Sequence, residues 1–233
     1  MLTLLKIPSL SMPDTSRVTC LAEDEPLLDI EAYSMGAIRA DMQYKKAHRR
    51  GAIDRALVRK SVADRLLRAS ALLPRGYSLV IFDAWRPYEV QKSLYDEYYN
   101  ALRAKEENKA LSEEALHRLA RTFVSYPDKS RRFSFVHASG GAVDLTVADE
   151  NGIPLDMGTA FDDFSPAAAV DYFEGEERNA AVRDNRRLLY TVMNEAGFTS
   201  FPSEWWHYDY GDLFWAALTG EPAKYPSVYE ITL

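Results

Sequence analysis

The stretch FSFVHASGGAVDLTVAD, residues 133–149, decides the fold, because it predicts a strand, a tight reversal and a second strand in succession. Gly140 and Gly141 allow the chain to turn sharply. The apolar residues from Phe133 to Val136 predict the first strand, and those from Ala142 to Val147 predict the second. The second strand is apolar enough to lie in the core.

Two polar residues in this stretch are candidates for chemistry. On the second strand, Asp144 shares a face with Ala142 and Thr146, while the opposite face is expected to meet the core. A carboxylate in apolar surroundings is costly to bury unless it is paired or binds a metal. His137, just before the glycine pair, is a second candidate ligand. On this stretch alone, Asp144 accepting backbone N–H bonds at a turn is as good an interpretation as metal binding.

The rest of the chain alternates between helical and strand patterns without a regular βαβ order, which indicates an α+β fold. Apolar spacing and capping residues predict helices over Ala52–Ala71, Pro87–Lys105, Ser112–Val124 and Glu176–Ala196, a strand over Tyr77–Phe82, and a loop over Asp149–Glu174. No repeat or Gly/Ser linker divides the 233 residues, so we expect a single domain over residues 1–233.

Composition narrows the classes of partner and compartment. A formal charge of −7 argues against nucleic acid and anionic membranes as partners. Cys20 is the only cysteine, which excludes an intrachain disulfide and a cysteine-rich zinc site. Lys6 and Pro8 interrupt the apolar N-terminus, and no apolar run is long enough to span a bilayer. We expect a cytoplasmic protein, and a periplasm would also tolerate one free cysteine.

The stretch SEWWHYDY, residues 203–210, contains the partners that His137 and Asp144 need for a metal site. A catalytic zinc takes three protein ligands and keeps one position open, and His207 completes such a set. Glu204 is then free to act as a general base on water. Three residues apart on a regular strand, Glu204 and His207 would face opposite sides. We therefore expect Glu204 in a turn after Pro202 or at a bulge, with strand geometry only from Trp205 onward.

The tryptophans in this stretch, Trp205 and Trp206, are expected to wall the site. His48 and His117 lie among charged or polar neighbours and are predicted to be solvated. Arg86 follows the predicted strand Tyr77–Phe82 and precedes a proline, which favours extended geometry at a strand-to-helix junction. There it could stabilise an oxyanion, or it could simply pair with Asp83 to organise the turn.

Together, these residues resemble the D-alanyl-D-alanine dipeptidase family of zinc peptidases. The family's His-x-x-Gly-x-Ala-x-Asp motif, its Glu-x-x-His motif and its Asp-x-x-Arg-Pro element occur here in consistent order between about residues 77 and 210. The matching positions are His137, Gly140, Ala142 and Asp144; Glu204 and His207; and Asp83, Arg86 and Pro87. Short motifs recur by chance, but three in the right order are specific.

The resemblance implies a Hedgehog/DD-peptidase-like fold, with a central, mainly antiparallel sheet flanked by helices. It also implies one Zn²⁺ per chain held by His137, Asp144 and His207, a small dipeptide as substrate, Glu204 as base and Arg86 on the oxyanion. Asp162, after Met-Gly-x-x-Phe, would lie near the ammonium group of the substrate, a role it fits better than Asp163.

Two positions depart from the family pattern, which usually has Ser at Phe135 and often Arg at Ser139. Ser134 is the shifted candidate for the substrate contact, although a shift of one residue on a strand changes the face. Strict D-Ala-D-Ala specificity is therefore not implied. The alternatives are a related peptidoglycan D,D-carboxypeptidase or L,D-endopeptidase, and a zinc-binding module without catalysis. The sequence does not predict the oligomeric state.

Overall fold

A five-stranded sheet lies at the centre of the structure, a computed structural model that describes residues 2–175 and 179–231. The described strands are β1 (Leu27–Asp29), β2 (Arg39–Ala40), β3 (Leu57–Arg59), β4 (Ser78–Asp83), β5 (Ala142–Ala148), β6 (Thr199–Ser200) and β7 (His207–Asp209). The central sheet has the order β2-β4-β5-β7-β6, in which only the β2–β4 pair is parallel. The prediction of an α+β fold with a mainly antiparallel central sheet is confirmed.

Helices flank this sheet. They are α1 (Ile30–Tyr33), α2 (Gln43–Lys46), α3 (Lys60–Leu72), α4 (Tyr88–Ala104), α5 (Glu113–Ala120), α6 (Ala180–Glu195) and α7 (Leu213–Thr219). Short 3₁₀ helices occupy Thr15–Arg17, Glu106–Asn108, Val136–Ser139, Pro166–Ala168 and Tyr172–Gly175. No helix among the described residues is long and apolar enough to cross a membrane.

Strands β4 and β5 form the core of the sheet because their side chains are apolar on the faces that helices cover. Leu79, Ile81, Val143 and Leu145 are fully buried and belong to the main apolar cluster. That cluster includes residues from Ile30 to Tyr225. The division into one domain over residues 1–233 stays a prediction.

Three predicted helices are found with different ends. The helix predicted from Pro87 is α4, with Pro87 as its N-cap residue. Ser112 caps α5, since its hydroxyl accepts from the backbone N–H of Ala115, but the helix ends at Ala120 rather than Val124. The predicted helix Glu176–Ala196 is observed as α6 up to Glu195, and residues 176–178 lie outside the described part of the chain.

The helix predicted over Ala52–Ala71 is wrong in its first turns. Helix α3 begins only at Lys60, and Leu57–Arg59 form strand β3, which pairs antiparallel with β1. The apolar residues before Lys60 therefore belong to a loop and a buried strand, and their spacing resembles that of a helix only by coincidence. A three-residue strand gives too short a pattern to be separated from a helix by periodicity.

The strand predicted over Phe133–Val136 is also wrong. The chain there forms an irregular segment followed by the 3₁₀ helix Val136–Ser139, because Ser134 hydrogen-bonds with Asp128 and Ser227 instead of a neighbouring strand. Gly140 ends this helix with a left-handed φ of 73°. Its neighbour Gly141 allows a close backbone approach, as an added Cβ would lie 2.6 Å from the carbonyl oxygen of Tyr210.

Candidate metal centre

Three donor side chains converge at one end of the central sheet. Asp144 on β5 and His207 on β7 are direct partners in the antiparallel register. His137 reaches the same place from the 3₁₀ helix that precedes β5. All three side chains are buried. The structure therefore brings together the residues that the sequence predicted as metal ligands, although they are up to 70 positions apart in the chain.

The spacing of the donor atoms fits a tetrahedral zinc site. His137 Nε2 lies 3.2 Å from His207 Nδ1, His207 Nδ1 lies 2.9 Å from Asp144 Oδ1, and His137 Nε2 lies 3.3 Å from Asp144 Oδ2. Two ligands bound tetrahedrally to zinc at 2.0–2.1 Å are about 3.3 Å apart. Two imidazoles and one carboxylate also form a usual catalytic donor set for this ion. The residues present therefore fit one Zn²⁺.

The second nitrogen of each imidazole has a partner that orients the ring. His137 Nδ1 lies 2.8 Å from the carbonyl oxygen of Ala84, and His207 Nε2 lies 2.8 Å from Asp209 Oδ1. Carbonyl and carboxylate oxygens only accept, so these two nitrogens donate, leaving His137 Nε2 and His207 Nδ1 to face the centre. Such partners fix the ring orientation of metal-binding histidines and increase their basicity.

A buried pair of carboxyl groups lies behind His207. Asp209 is fully buried and Asp212 nearly so. The Oδ1 of Asp212 accepts from the backbone N–H groups of Phe214 and Trp215, which caps α7. Burial and the adjacent Asp209 raise the pKa of Asp212 well above its usual value. This shift favours the protonated form of Asp212, beside the Asp209 carboxylate that accepts from His207 Nε2.

Glu204 reaches the same centre through two consecutive turns. Its backbone N–H donates to the carbonyl oxygen of Phe201, and its own carbonyl accepts from the N–H of His207, both at 3.3 Å. The predicted turn placement of Glu204 therefore agrees with the structure, and these turns let Glu204 and His207 face the same cavity. Regular strand geometry begins at His207, two residues later than predicted, because Trp205 and Trp206 still belong to a turn.

The protonation of Glu204 depends on the surrounding charges. Burial raises the pKa of Glu204 to about 8, and the charge of His207 opposes this shift. A divalent cation bound by the three ligands would lower the pKa again, because a nearby positive charge stabilises a carboxylate. A bound divalent cation would thus favour the ionised form of Glu204 at neutral pH.

Arg86 is fixed by three side chains. Its Nε donates to Asp83 Oδ2 at 2.7 Å, its Nη1 to Gln91 Oε1 at 2.7 Å, and its Nη2 to Asp144 Oδ2 at 3.1 Å. The Arg86–Asp83 ion pair, which was one of the two alternatives for Arg86, is therefore present. The same guanidinium also contacts Asp144 of the metal centre. Burial acts to lower the pKa of Arg86, but Tyr44 and the two aspartates raise it above its usual value.

A single cavity of about 890 Å³ connects these groups. Its wall includes the predicted ligands, the predicted catalytic residues and the predicted ammonium contact: His137, Asp144, His207, Glu204, Arg86 and Asp162. Trp206 also lines it, as the sequence predicted for a wall residue.

Asp162 is a half-buried residue of the cavity wall. It is held in a left-handed backbone conformation with φ of 58°, and its Oδ1 accepts from the hydroxyl of Tyr44 at 3.3 Å. Burial raises the pKa of Asp162 to about 6, while Arg86 opposes the shift. Its neighbour Asp163 instead accepts from the backbone N–H of Ser165 in the loop.

Two predicted substrate contacts do not line the cavity. Ser134 uses its hydroxyl to accept from the backbone N–H of Asp128, and Phe135 takes its place in the cavity wall. Trp205 points toward the loop instead, where its Nε1 donates to Thr159 Oγ1 at 2.8 Å. Both residues were predicted to lie on strands. They lie in irregular segments or turns instead, and this changes where their side chains point.

The remaining histidines differ from each other. His48 is exposed, as predicted. His117 is half-buried, because its ring stacks on Tyr99 and its Nδ1 lies 2.7 Å from the hydroxyl of Tyr95. His117 was predicted to be a solvated residue, and the structure instead shows it half-buried with a side-chain partner. It lies outside the cavity wall and takes no part in the centre.

Sequence reasoning missed three residues that shape the site. Tyr44 contacts Asp162 and lies with its ring 4.9 Å from the Arg86 guanidinium carbon, and Gln91 and Asp209 hold Arg86 and His207. A signal existed for Asp209, which lies two positions after His207 and so shares its face on a strand. Tyr44 is distant in sequence and gave no such signal.

A family comparison covers almost the whole chain. The family model Peptidase_M15, described as D-ala-D-ala dipeptidase, matches residues 28–226. The chain belongs to the D-Ala-D-Ala dipeptidase family. The family, the metallopeptidase class and the zinc cofactor predicted from the sequence are thereby confirmed, since the donor set of this chain also fits zinc.

Curated relatives within the D-Ala-D-Ala dipeptidase family share about the same identity with this chain. D-alanyl-D-alanine dipeptidases of Synechocystis sp. and Escherichia coli are each 29% identical, over 154 and 205 residues. The first match covers 60% of this chain and 62% of the relative, and the second covers 85% and 86%. The chain thus spans less than two thirds of the Synechocystis protein.

A third relative and one solved structure extend this comparison. The D-alanyl-D-alanine dipeptidase of Enterococcus faecium is 29% identical over 180 residues, which is 76% of this chain and 79% of the relative. A crystal structure of a mutant vancomycin resistance D,D-pentapeptidase VanY in complex with Zn(II) is 15% identical, with a TM-score of 0.44 over 92% of this chain and 96% of that chain.

Proposed function

We propose that this protein is a zinc-dependent dipeptidase that hydrolyses D-alanyl-D-alanine or related short D-amino-acid dipeptides. The observation that carries the proposal is that a carboxylate suited to bind an ammonium group, Asp162, shares one cavity with the three donor residues and with Glu204. A free amino group is what distinguishes a dipeptide from the end of a longer chain. The names of the curated relatives support the same substrate class.

His137, Asp144 and His207 would hold the zinc ion. When bound there, zinc supplies a Lewis acid that polarises the scissile carbonyl and lowers the pKa of water. Glu204 accepts the proton of the attacking water and passes it to the nitrogen of the leaving amino acid. These two transfers balance, because the proton lost by water ends on the leaving amine.

The other residues bind and orient the substrate. Asp162 pairs with the substrate's ammonium group and thereby fixes the position of the scissile carbonyl. Arg86, whose Nη2 lies beside Asp144, offers its positive charge to the oxyanion that develops at that carbonyl. The aromatic wall around Trp206 keeps bulk water away from these charges.

A hydrolysis panel tests the proposal. Purified, zinc-loaded protein is assayed with D,D, L,D and L,L dipeptides, with and without chelator, and with an N-blocked peptide that ends in D-Ala-D-Ala. We expect hydrolysis of the free D,D dipeptides that the chelator abolishes. Release of D-Ala from the blocked peptide at an equal or higher rate would instead identify a carboxypeptidase, and no hydrolysis by zinc-loaded protein would refute the proposal.

The variant Glu204→Ala separates catalysis from metal binding. Since Glu204 is not a ligand, we expect it to keep stoichiometric zinc and to lose about 10²–10⁴-fold in kcat, the usual contribution of a general base. Glu195→Ala, at the exposed end of α6, is the matched control and is expected to keep full activity. Full turnover by Glu204→Ala would remove Glu204 from its role.

A further inference from the structure

We propose that the cavity contains an aromatic subsite for the side chain of the substrate's N-terminal residue. The preferred substrates would then be dipeptides with a free amino group and a large apolar or aromatic first residue, rather than D-Ala-D-Ala itself. This inference rests on the proposed dipeptidase function and adds its substrate preference.

The first argument is the size of the cavity. D-Ala-D-Ala has 11 non-hydrogen atoms, which would fill roughly 330 Å³ at about 30 Å³ each, the volume that a water molecule takes in the liquid. The cavity measures about 890 Å³. More than half of it would remain unfilled by the smallest substrate of this class.

The second argument is the direction in which the extra space lies. Gln91, Leu94, Tyr98 and Ala101 form one face of α4, and all four line the cavity. Gln91 contacts Arg86 at the metal centre. Ala101 is ten residues further along the helix, about 15 Å away at 1.5 Å per residue. A dipeptide backbone extends only about 7 Å, so this face continues well beyond it.

The third argument is the chemistry of this outer part. Tyr98 contacts both Phe123 and Phe164, with ring centroids 5.9 Å and 5.4 Å apart. Phe123 is 40% exposed and Phe164 is 43% exposed, although both line a cavity that leads to the metal centre. We call these three side chains the aromatic subsite. Large aromatic side chains that remain exposed in a cavity can bind an apolar group of a ligand.

Polar residues such as Glu97, Arg121 and Thr122 also line the cavity, but the three rings of the aromatic subsite favour a side chain over additional peptide as the occupant. Each further residue of a longer peptide would bring a backbone N–H and a carbonyl that need partners once buried. The three rings of the aromatic subsite offer no such partner except the hydroxyl of Tyr98. A hydrocarbon or aromatic side chain needs none, and rings pack well on rings.

The position of Asp162 assigns the subsite to the first residue of the dipeptide. Phe164 lies only two residues after Asp162, and Tyr98 on α4 packs against it. The substrate's ammonium group, held by Asp162, is attached to the same carbon atom as the first side chain. That side chain therefore starts next to the loop that carries Phe164.

The test compares kcat/KM for D-Phe-D-Ala, D-Ala-D-Phe and D-Ala-D-Ala on the zinc-loaded protein. We expect D-Phe-D-Ala to exceed D-Ala-D-Ala by at least tenfold. We also expect Phe164→Ala and Phe123→Ala each to lower the ratio of D-Phe-D-Ala to D-Ala-D-Ala by several-fold. Tyr172→Ala changes an aromatic residue that is 47% exposed but lies outside the cavity, and it should leave this ratio unchanged.

The possible failures are distinguishable. Hydrolysis of D-Ala-D-Ala without any advantage for D-Phe-D-Ala would overturn the subsite and leave the proposed function standing. A preference for D-Ala-D-Phe, or for a tripeptide extended at its amino end, would also overturn the assignment to the first residue. If no dipeptide is hydrolysed, the proposed function fails and this inference fails with it.

Discussion

In the proposed function, the charge of Asp162 decides whether the cavity can hold the substrate's ammonium group. Its carboxyl is half-buried beside Tyr44, and its pKa is raised to about 6. Above that pH the group is a carboxylate and can pair with the substrate's ammonium group. Below it the group is neutral, and the pairing is lost.

We therefore predict that kcat/KM for an unblocked dipeptide falls as the pH is lowered through the pKa of Asp162, which a bound cation would bring below about 6. Asp162→Asn should lower kcat/KM at pH 7 and change this acidic limb, leaving only the fall that protonation of Glu204 and of the metal ligands causes. Asp163→Asn, next to it in the loop, is the matched control and should keep the limb. An unchanged limb in Asp162→Asn would refute the assignment.

Asp209 is a second single residue with a testable effect, because it holds the ring of His207. Because its carboxylate accepts from His207 Nε2, we predict that Asp209→Asn weakens zinc binding by about 10–100-fold, as for other carboxylates behind metal-binding histidines. Competition with a chromophoric chelator measures this affinity without any assay of activity.

Asp212→Asn provides the matched comparison for this affinity measurement. The pKa of Asp212 is raised well above its usual value by burial and by Asp209, and its side chain caps α7, where asparagine serves equally well. We expect its zinc affinity to stay within a few-fold of the unchanged protein. Equal losses in both variants would show that packing, not the contact with His207, controls the affinity.

At the residue scale, the sequence was sufficient wherever a motif fixed both residue type and spacing. His137, Asp144, His207 and Glu204 were predicted and lie on one cavity. Ser134 and Trp205 were predicted from the same short stretches but point elsewhere. Both residues lie outside regular strands, so the alternation of side chains along a strand does not predict where their side chains point.

At the scale of elements, strand β5 and the turn before it do most to position the site. Asp144 is held on β5, and His137 lies in the 3₁₀ helix that Gly140 and Gly141 connect to it. Gly141 passes so close to the backbone of Tyr210 that no larger residue fits without movement. Tyr210 follows β7, so this contact also sets how β7 lies against β5.

We predict that Gly141→Ala destabilises the protein by roughly 1–3 kcal/mol, the usual cost of forcing a methyl group into a packed site. Thermal unfolding should show a Tm lower by several degrees. Gly175→Ala is the control, because an added Cβ there meets no atom within 4 Å. Equal Tm values for both variants would contradict the importance of this close approach.

Helices and strands could be predicted from the sequence where their apolar pattern extends over many residues. Strand β4 and helix α4 were found close to their predicted bounds because an apolar run and a proline mark them clearly. Strand β3 was mistaken for the start of a helix, since its three residues are identified only by pairing with β1. Such long-range pairing has no local signal in one sequence.

At the scale of the whole molecule, the metal centre joins parts of the chain that are distant in sequence. His137 and His207 are 70 positions apart, and the cluster they form with Asp144 exists only when β5 and β7 are paired. A metal that binds this cluster therefore binds the folded chain in preference to the unfolded one. Its binding free energy must then appear as stability.

We predict that zinc at 100 times its Kd stabilises the fold by about 2.7 kcal/mol. For a chain of this size that corresponds to a rise in Tm of roughly 5–10 °C. Calorimetry with zinc and after chelation measures the difference. His207→Ala should lose the shift, whereas His48→Asn, at an exposed histidine outside the cavity, should retain it. A shift that persists in His207→Ala would place the bound metal elsewhere.

The central sheet ends on both sides in very short strands. Strands β2 and β6 have two residues each, so either rim offers few backbone groups on which a neighbouring chain could continue the ladder. The long apolar strands β4 and β5 are enclosed between them. Concentrated solutions of the folded protein should accordingly resist fibril growth on storage. Strands β4 and β5 can nucleate aggregates only after unfolding has exposed them.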